Sequence, residues 1–388
     1  MIKHILKLIW NKKRSNGLIL LEIFLSFLIL FAVLSYVFYN INIFKKPLGF
    51  ETKDRWMVYL DNMSNLDSIE VATLKKTLYR ELKGLDRIES VSFGDFVAPI
   101  SYTMNRTGDD AQGFVISSLI AKTDSEFAET YDVKIEEGRW FNEEDLHETY
   151  PAIVVNKKFM TEFFPGKVML DSILKFSGEH RIVGVIEDYR YQGEFVEEEP
   201  IVIFQGERTS ARLRTVHLKL TPNTPAVYEE QVNKLIADIT KSSSFVIQNV
   251  DQNRKRRSKQ TWIPMIVLLS ICGFLSINVA LGLFGVLVYN INRRKGEIGL
   301  RRAVGAHSTD ISRQFVMEIL VLTFLALIAG LFFAIQIPLF KIGPFPPRDL
   351  YEAIVASSLI IILIVLICAI YPSWQASRID PATALHDE

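Results

Sequence analysis

The residue types that carry out catalysis or bind metals are few and scattered along this chain. Six histidines occur among 388 residues, with no His-x-x-x-His or Cys-x-x-Cys spacing, which argues against a protein-built zinc site. Cys272 and Cys368 both lie inside apolar runs, where buried side chains are expected rather than ligands or a disulfide. No Gly-x-x-x-x-Gly-Lys-Ser/Thr string occurs, so we expect no P-loop ATPase in this chain. The sequence predicts no catalytic residue, no metal and no cofactor.

The most informative charged stretch is the connection at residues 292–312, which lies between two apolar runs. The residues predicted to contact a cytosolic partner there are Arg293, Arg294, Glu297, Leu300, Arg301, Arg302 and Val304. Helical spacing places Leu300 and Val304 on one face, pairs Glu297 with Arg301, and puts Gly305 where a left-handed cap can end the helix. Such a helix suits a cytosolic partner. The same basic residues also satisfy the positive-inside bias, and charge alone leaves both interpretations open.

Two acidic residues, Glu22 and Glu318, lie within or beside apolar runs near the predicted inner ends of their spans. They could pair with arginines of the connection, such as Arg313, and couple its movement to the spans. They could instead extend to the membrane interface. We favour the interface for Glu22, and both interpretations stay open for Glu318.

Four apolar runs each exceed the roughly 18–20 residues that a helix needs to cross a bilayer. The runs are Leu18–Tyr39, Ile263–Tyr289, Ile319–Phe340 and Ala353–Ser377. They exclude a soluble enzyme as the default, and the first run is too long for the apolar part of a cleaved signal peptide. The chain has 44 basic and 44 acidic side chains, and this balance gives no support for a nucleic-acid partner. We expect the four apolar runs to be embedded in a lipid bilayer.

The distribution of charge predicts an N-in/C-in topology. Residues 1–16 contribute five basic side chains, the 290–313 stretch six, and Arg378 one, so twelve lie inside against nine near the spans outside. The cluster Arg254–Lys259 opposes this arrangement. It is interpreted either as a solvated stalk or as a patch that meets lipid head groups, and Met1–Trp10 either as an interfacial helix or as an untethered basic tail.

The predicted fold class is an α+β membrane protein with four transmembrane helices and a large extracytoplasmic α/β domain. The predicted segments are a cytoplasmic amphipathic helix at 1–16, spans at 17–40, 261–291, 313–340 and 351–372, an extracytoplasmic domain at 41–260, a cytoplasmic coupling loop at 292–312, a short outer loop at 341–350 and a cytoplasmic tail at 373–388.

Two β-α-β units bracket the predicted outer domain. Alternating apolar residues predict strands and 3.6-residue periodicity predicts helices. The predicted elements are strand 54–61, helix 66–83 and strand 88–97 in the first unit, and strand 214–220, helix 225–241 and strand 244–250 in the second. This pattern predicts a ferredoxin-like lobe, with a β-rich lobe inserted at about 100–210.

Several strings in the chain resemble the FtsX/MacB permease superfamily over residues 45–388. The strings are Gly138-Arg-Trp-Phe, Ile153-Val-Val-Asn, Phe163-Phe-Pro-Gly-Lys and Ile182-Val-Gly-Val-Ile-Glu-Asp in the outer domain, Glu297-Ile-Gly-Leu-Arg-Arg-Ala-Val-Gly-Ala and Gln314-Phe-Val-Met-Glu in the connection, and Tyr371-Pro-Ser-Trp-Gln-Ala-Ser-Arg-Ile-Asp-Pro-Ala-Thr-Ala-Leu at the end. Read physically, Gly138 and Gly166 occupy turn positions that need a permissive backbone.

The resemblance implies a multi-pass permease of the inner membrane that works with an ABC-type ATP-binding subunit, here expected to be a separate chain. It also implies mechanotransmission, in which ATP binding presses two connections together and the spans pass the movement outward. A second permease chain is needed, either in a homodimer or in a related heterodimer. Periplasmic or outer-membrane components are further candidate partners.

Other functions compete with a transport subunit. The alternative is a membrane receptor or a divisome-type regulator of cell-wall hydrolases, and a further hypothesis is a membrane-bound envelope enzyme. The short inner segments disfavour a signalling receptor, and no catalytic constellation is visible. The substrate stays open between a lipoprotein, a peptide, a drug and a hydrolase that is activated rather than transported.

Overall fold

A computed structural model of the chain describes residues 13–60, 67–96, 99–100, 106–111, 114–167, 169–187, 189–206, 214–241 and 244–377. Most of the predicted helix at 1–16 and of the predicted tail at 373–388 lies outside these residues. The chain divides into two compact units. We call Ile43–Thr261 the sheet unit, and the described parts of Met1–Asn42 and Trp262–Glu388 the helical unit.

The long apolar helices lie towards the two ends of the described chain, and the strands, with shorter helices, lie between them. The helices are α1 (Lys13–Phe44), α2 (Ser68–Lys83), α3 (Phe127–Tyr131), α4 (Lys157–Phe163), α5 (Tyr228–Thr240), α6 (Val250–Arg293), α7 (Lys295–Ala303), α8 (Ser308–Ala334), α9 (Gln336–Leu339) and α10 (Pro347–Ser377). The strands are β1 (Arg55–Leu60), β2 (Ile88–Phe96), β3 (Arg106–Ala111), β4 (Phe114–Thr123), β5 (Ile135–Gly138), β6 (Ala152–Asn156), β7 (Ile173–Lys175), β8 (Glu179–Ile186), β9 (Ile201–Gln205), β10 (Thr215–Leu220) and β11 (Phe245–Asn249).

Within the described residues, four helices are long and apolar enough to cross a membrane: α1, α6, the α8–α9 stretch and α10. The second span is part of a longer helix than the predicted range 261–291, because α6 begins at Val250 and runs for 44 residues. That is about 66 Å of helix, roughly twice the hydrocarbon thickness of a bilayer. In the helical unit α1 packs closely against α8. A Cβ at Gly330 would come within 2.4 Å of the Phe27 ring, so this approach requires glycine.

The predicted ferredoxin-like lobe is confirmed in the sheet unit. Strands β11, β1, β10 and β2 lie side by side in that order, and each neighbouring pair is antiparallel. The first and last β-α-β units thus interleave their strands, as this fold requires. Helices α2 and α5 bury their apolar faces against the sheet, with Val71, Leu78, Val232 and Ile236 fully buried.

The predicted β-rich lobe extends the same sheet rather than forming a second one. From β2 the order continues through β4, β9, β6, β8 and β5, and two of these pairings, β4 with β9 and β6 with β8, are parallel. Gly138 and Gly166 have φ values of +72° and +73°, as expected for permissive turn positions. At Gly138 a Cβ would also lie 2.4 Å from the Val183 carbonyl oxygen.

A histidine is enclosed in the core of the sheet unit. His217 on β10 is 1% exposed, and its Nδ1 shares a 2.8 Å hydrogen bond with the Tyr131 hydroxyl. The Phe127 ring meets it edge-on at 5.5 Å. Burial disfavours the charged imidazolium and lowers the pKa of His217 to about 3.

We therefore expect the sheet unit to lose stability in mild acid through His217. The unfolded chain binds a proton at an ordinary histidine pKa of about 6.5, whereas the folded chain does so only near 3. Below pH 6.5 this group should destabilise folding by up to about 1.4 kcal/mol per pH unit, with no contribution above. Urea unfolding followed by tryptophan fluorescence should show this slope in the wild-type chain. A His217→Gln variant should show a shallower slope between pH 6 and 4, and equal slopes would contradict the assignment.

Candidate functional site

The site is the helical connection, residues 294–307, which follows α6 and leads into α8. Its central element is α7, whose end is fixed by a backbone motif. The Gly305 amide donates to the Arg302 carbonyl at 3.1 Å and the Ala306 amide to the Arg301 carbonyl at 3.0 Å, while Gly305 has φ +104°. These two bonds satisfy carbonyls left open at the helix end. The predicted glycine cap is therefore confirmed.

The underside of the helical connection is an apolar cluster. Ile298 of α7 packs with Ile291 at the end of α6 and with Ile311 and Phe315 at the start of α8. Each of the four side chains is 5% exposed or less. Burial of this kind contributes about 1.5–3 kcal/mol for each side chain, so α7 is held against both neighbouring helices.

A largely buried ion pair lies beside this cluster. The Arg294 Nη1 donates to both carboxylate oxygens of Glu318, at 3.0 and 3.2 Å, and the side chains are 13% and 14% exposed. The guanidinium also lies 5.8 Å above the centre of the Phe315 ring, and Gln314 donates to Glu318 at 3.1 Å. The carboxylate of Glu318 is thus held by two neighbours, Arg294 and Gln314, and the Phe315 ring lies against the arginine of the pair.

Arg294, rather than the example Arg313, is the partner that the structure gives Glu318. Arg313 and Glu318 are five residues apart on α8, which places them about 140° apart around the helix axis. Arg313 is exposed on that other face. Arg294 reaches Glu318 because it lies at the turn between α6 and α7, and this approach depends on tertiary structure.

A second ion pair is exposed on α7, and its arginine is also hydrogen-bonded to α8. Arg301 donates to Glu297 at 2.6 Å and to Gln314 at 2.7 Å, as the i,i+4 spacing of the first two residues predicted. Both charged side chains are more than 40% exposed, so the pair is worth only about 0.3–0.5 kcal/mol. Through Gln314 it joins the Arg294–Glu318 pair in one hydrogen-bonded chain.

The outer face of the helical connection remains apolar and exposed. Leu300 is 57% exposed and Val304 is 82% exposed. Arg293 is exposed as well, and Arg302 is half-buried. Of the predicted contact residues, Arg294, Glu297 and Arg301 are thus tied into the anchoring network, whereas Leu300 and Val304 present themselves outward.

Glu22 does not join the network of the helical connection. It is half-buried on α1, and its carboxylate faces Gly282 of α6, where a Cβ would come within 2.6 Å of the carboxylate oxygen. The contact residues that the sequence prediction missed are Ile298, Ile311, Gln314 and Phe315. Their spacing along α7 and α8 carries the signal, since residues 311, 314, 315 and 318 share one helical face. Among the described residues, no group of three His, Cys, Asp or Glu side chains could hold a metal ion.

Sequence comparison finds two matching families. The sequence model of the MacB-like periplasmic core domain matches residues 18–235, and that of the FtsX-like permease C-terminal domain matches residues 267–381. Neither is an ATP-binding domain. The second match contains the whole helical connection and its anchoring residue Glu318.

Individual relatives agree with the family matches. The macrolide export ATP-binding/permease protein MacB of Rhodopseudomonas palustris (strain HaA2) is 25% identical over 70% of this chain and 44% of its own length. The protein of the same name from Mannheimia succiniciproducens is 23% identical over 85% of this chain and 54% of its length. The chain thus spans about half the length of these relatives.

Among solved structures, the periplasmic region of MacB from Actinobacillus actinomycetemcomitans is 14% identical with a TM-score of 0.40, over 55% of this chain and 97% of that one.

We expect Glu318 to organise the helical connection. Replacing Glu318 with Gln leaves Arg294 largely buried without its counter-charge, which should cost about 1–3 kcal/mol of local stability. Hydrogen exchange at the amides of α7 should then accelerate roughly tenfold or more in the membrane-embedded chain.

The matched control is Glu297→Gln, which removes a carboxylate from the exposed Arg301 pair. It should change the exchange of α7 amides by no more than about twofold, because exposed pairs contribute little. Equal effects of the two substitutions would contradict an anchoring role for Glu318.

Proposed function

The chain belongs to the MacB/FtsX-like family of ABC transporter permeases, and from this membership we propose that it passes the work of a separate cytoplasmic ATPase to its sheet unit. The observation that carries the proposal is the construction of the helical connection. Its underside is fixed to α6 and α8, while Leu300 and Val304 are exposed beside basic residues. An anchored element with an exposed apolar face is suited to receive a partner protein.

In the proposed cycle, ATP closes two ATP-binding subunits, and each presses on one helical connection. The connection moves α6 and α8 because Ile298 and Arg294 fasten it to both. The substrate need not pass through the spans. Export is one form of this work, as the name of the macrolide exporters among the relatives suggests, and the handling of a lipoprotein or peptide is another.

The proposal places the protein in the inner (cytoplasmic) membrane with both termini inside and the sheet unit outside. The excess of lysine and arginine in residues 1–16 and 290–313 supports this orientation. In this orientation the helical connection faces the cytoplasm, where ATP is available. Periplasmic or outer-membrane components would then meet the sheet unit.

The working unit is proposed to contain two permease chains and two ATP-binding subunits. Each chain offers one helical connection, and ATPases of this type bind ATP between two copies. The second span supports a chain-to-chain contact, since only 11% of its most apolar part is buried within the chain, against 33–39% for the other three spans. A homodimer related by a two-fold axis is the simplest arrangement.

We expect replacement of Leu300 and Val304 by Ser to weaken ATPase association at least tenfold, since two exposed apolar side chains would no longer be buried on binding. Affinity purification of the tagged chain measures the bound ATPase, and the mass of the wild-type complex in mild detergent gives its stoichiometry. The matched control is Val246→Ser, which removes a side chain of similar exposure from the sheet unit. Undiminished ATPase binding, or one permease chain per ATPase pair, would count against the proposal.

A separate prediction concerns the charge of the helical connection. Arg301→Glu with Arg302→Glu should weaken the same association through lost electrostatic complementarity, without unfolding the sheet unit. A double variant that recruits the ATPase normally would restrict the contact to Leu300, Val304 and their neighbours.

Topology provides an independent prediction. In a background where Cys272 and Cys368 are replaced by Ala, a cysteine at Glu179 should react with an impermeant thiol reagent added outside intact spheroplasts. A cysteine at Lys295 should react only after the membrane is opened. The side chains of Glu179 and Lys295 are both exposed, so a difference in labelling would report the side of the membrane and not burial of the cysteine. The opposite labelling pattern would overturn the N-in/C-in orientation.

A further inference from the structure

A short segment of the sheet unit, Tyr189–Val196, contacts the end of α1 and the start of α6 at once. We call it the junction segment. All of its contacts described here lie within Ile43–Thr261. Two of its side chains, Arg190 and Glu194, make the shorter polar contacts to the two helices, and Gln192 accepts a longer one, at 3.5 Å, from Arg257 of α6.

Arg190 binds the carboxyl end of α1. Its side chain is 2% exposed, and its guanidinium donates to the carbonyls of Ile43 at 2.9 Å, of Pro47 at 2.8 Å, and of Lys46. The carbonyls at the end of a helix have no intrahelical donors, and a cation there is favoured by the helix dipole. The Lys46 amide also donates to the Ile43 carbonyl, at 3.0 Å, and Arg190 therefore adds donors to those of the chain itself where α1 ends.

Glu194 binds the first turns of α6. One carboxylate oxygen accepts from Arg254 at 2.9 Å and the other from the Ser258 hydroxyl at 2.5 Å. Arg254 and Ser258 are four residues apart and so share one face of α6. Arg254 also pairs with Asp251 at 2.8 Å, which fixes the guanidinium from its own helix.

These contacts bear on the basic cluster Arg254–Lys259, which the sequence left open between a solvated stalk and a lipid-facing patch. Arg254 is committed to Glu194 and Asp251, and Lys255 pairs with Asp251 at 2.7 Å. Arg256 and Lys259 are exposed. The cluster is thus neither wholly a solvated stalk nor wholly a lipid-facing patch, because its first member is an internal ion-pair residue.

The junction segment is itself firmly held. The Arg190 guanidinium donates to the Glu194 carbonyl at 2.8 Å, and the Gly193 amide donates to the Arg190 carbonyl at 2.9 Å. Gly193 has φ +109°, a conformation that favours glycine. Tyr189 and Tyr191 are buried in the core of the sheet unit. Movement of one helix end therefore reaches the other through five residues of fixed chain.

Close packing does not replace these polar contacts. A cavity of about 320 Å³ borders the junction, and its lining includes Phe44, Lys46, Glu194 and Arg254. Where side chains do not fill the space between two elements, hydrogen bonds and ion pairs fix their separation. Arg190 and Glu194 are placed to do so.

We propose that Arg190 and Glu194 are positioning residues of a mechanical junction, which makes the ends of α1 and α6 move with the inserted lobe as one body. This inference rests on the proposed function, because it assigns the place where movement of the two spans enters the sheet unit. The residues touch neither ATP nor substrate, so their effect should appear in transmission and not in ATP binding.

The test measures transmission directly in the full complex with its ATPase. Spin labels on cysteines at Glu179 and Lys295, in the background without Cys272 and Cys368, report one distance with and without a non-hydrolysable ATP analogue. In the wild-type chain the distance should change. In Glu194→Gln the change should fall to about half or less, with ATPase association and basal hydrolysis unchanged.

Glu194→Gln is the decisive variant, because glutamine keeps the size of the side chain and its hydrogen bond to Ser258 while the ion pair is lost. Arg190→Lys is the second variant, since one ammonium group cannot reach all four carbonyls. The control is Glu136→Gln, which removes an ion pair with Lys157 in the same unit, away from both helix ends.

The outcomes separate the two proposals. Loss of the distance change in both junction variants, with a normal Glu136→Gln control, supports the junction. A wild-type distance change in Glu194→Gln and Arg190→Lys overturns the junction and leaves the proposed function standing. No nucleotide-dependent change in the wild-type complex overturns the proposed function and the junction with it.

Discussion

A charged side chain that is withdrawn from water has to keep its partner, and this requirement fixes both ends of α6. At its start, Arg254 is held by Glu194 at 2.9 Å. Just beyond its end, Arg294 is held by Glu318 at 3.0 Å. The apolar stretch at residues 260–292 carries no lysine, arginine, aspartate or glutamate. The helix therefore has a long uncharged stretch, with one ion pair near its start and another just beyond its end.

The pair at the far end explains why the helical connection can act as one piece. Arg294 follows α6 directly, whereas Glu318 belongs to α8, so a push on α7 is shared between two spans. Ile298 adds an apolar contact to the same two helices. The exposed Arg301–Glu297 pair is too weak to do this alone. Separation of an anchored underside from an exposed outer face is what the proposed contact with an ATPase requires.

Local pattern predicted those parts of the structure that depend on nearby residues. Apolar runs gave the four long helices, alternating residues gave the ferredoxin-like strands, and Gly305 marked the cap of α7. The parallel pairing of β4 with β9 joins distant residues, and strand β3 is polar, so neither left a periodic signal. At the site, the exposed pair followed from i,i+4 spacing. The choice of Arg294 over Arg313 by Glu318 did not, since it depends on how three helices approach one another.

The polar residues of the second span bear on what kind of permease this chain is. Ser270, Ser276 and Asn278 each donate to the carbonyl four residues earlier in α6, at 2.8 Å. Their hydrogen-bonding capacity is thus directed to their own helix, as is common for such residues where water is scarce. A span that lines a path for polar solutes would instead present polar or charged groups away from its backbone. In α6 the charged residues are confined to the ends, and this distribution supports the proposed transmission of movement over conduction of a solute.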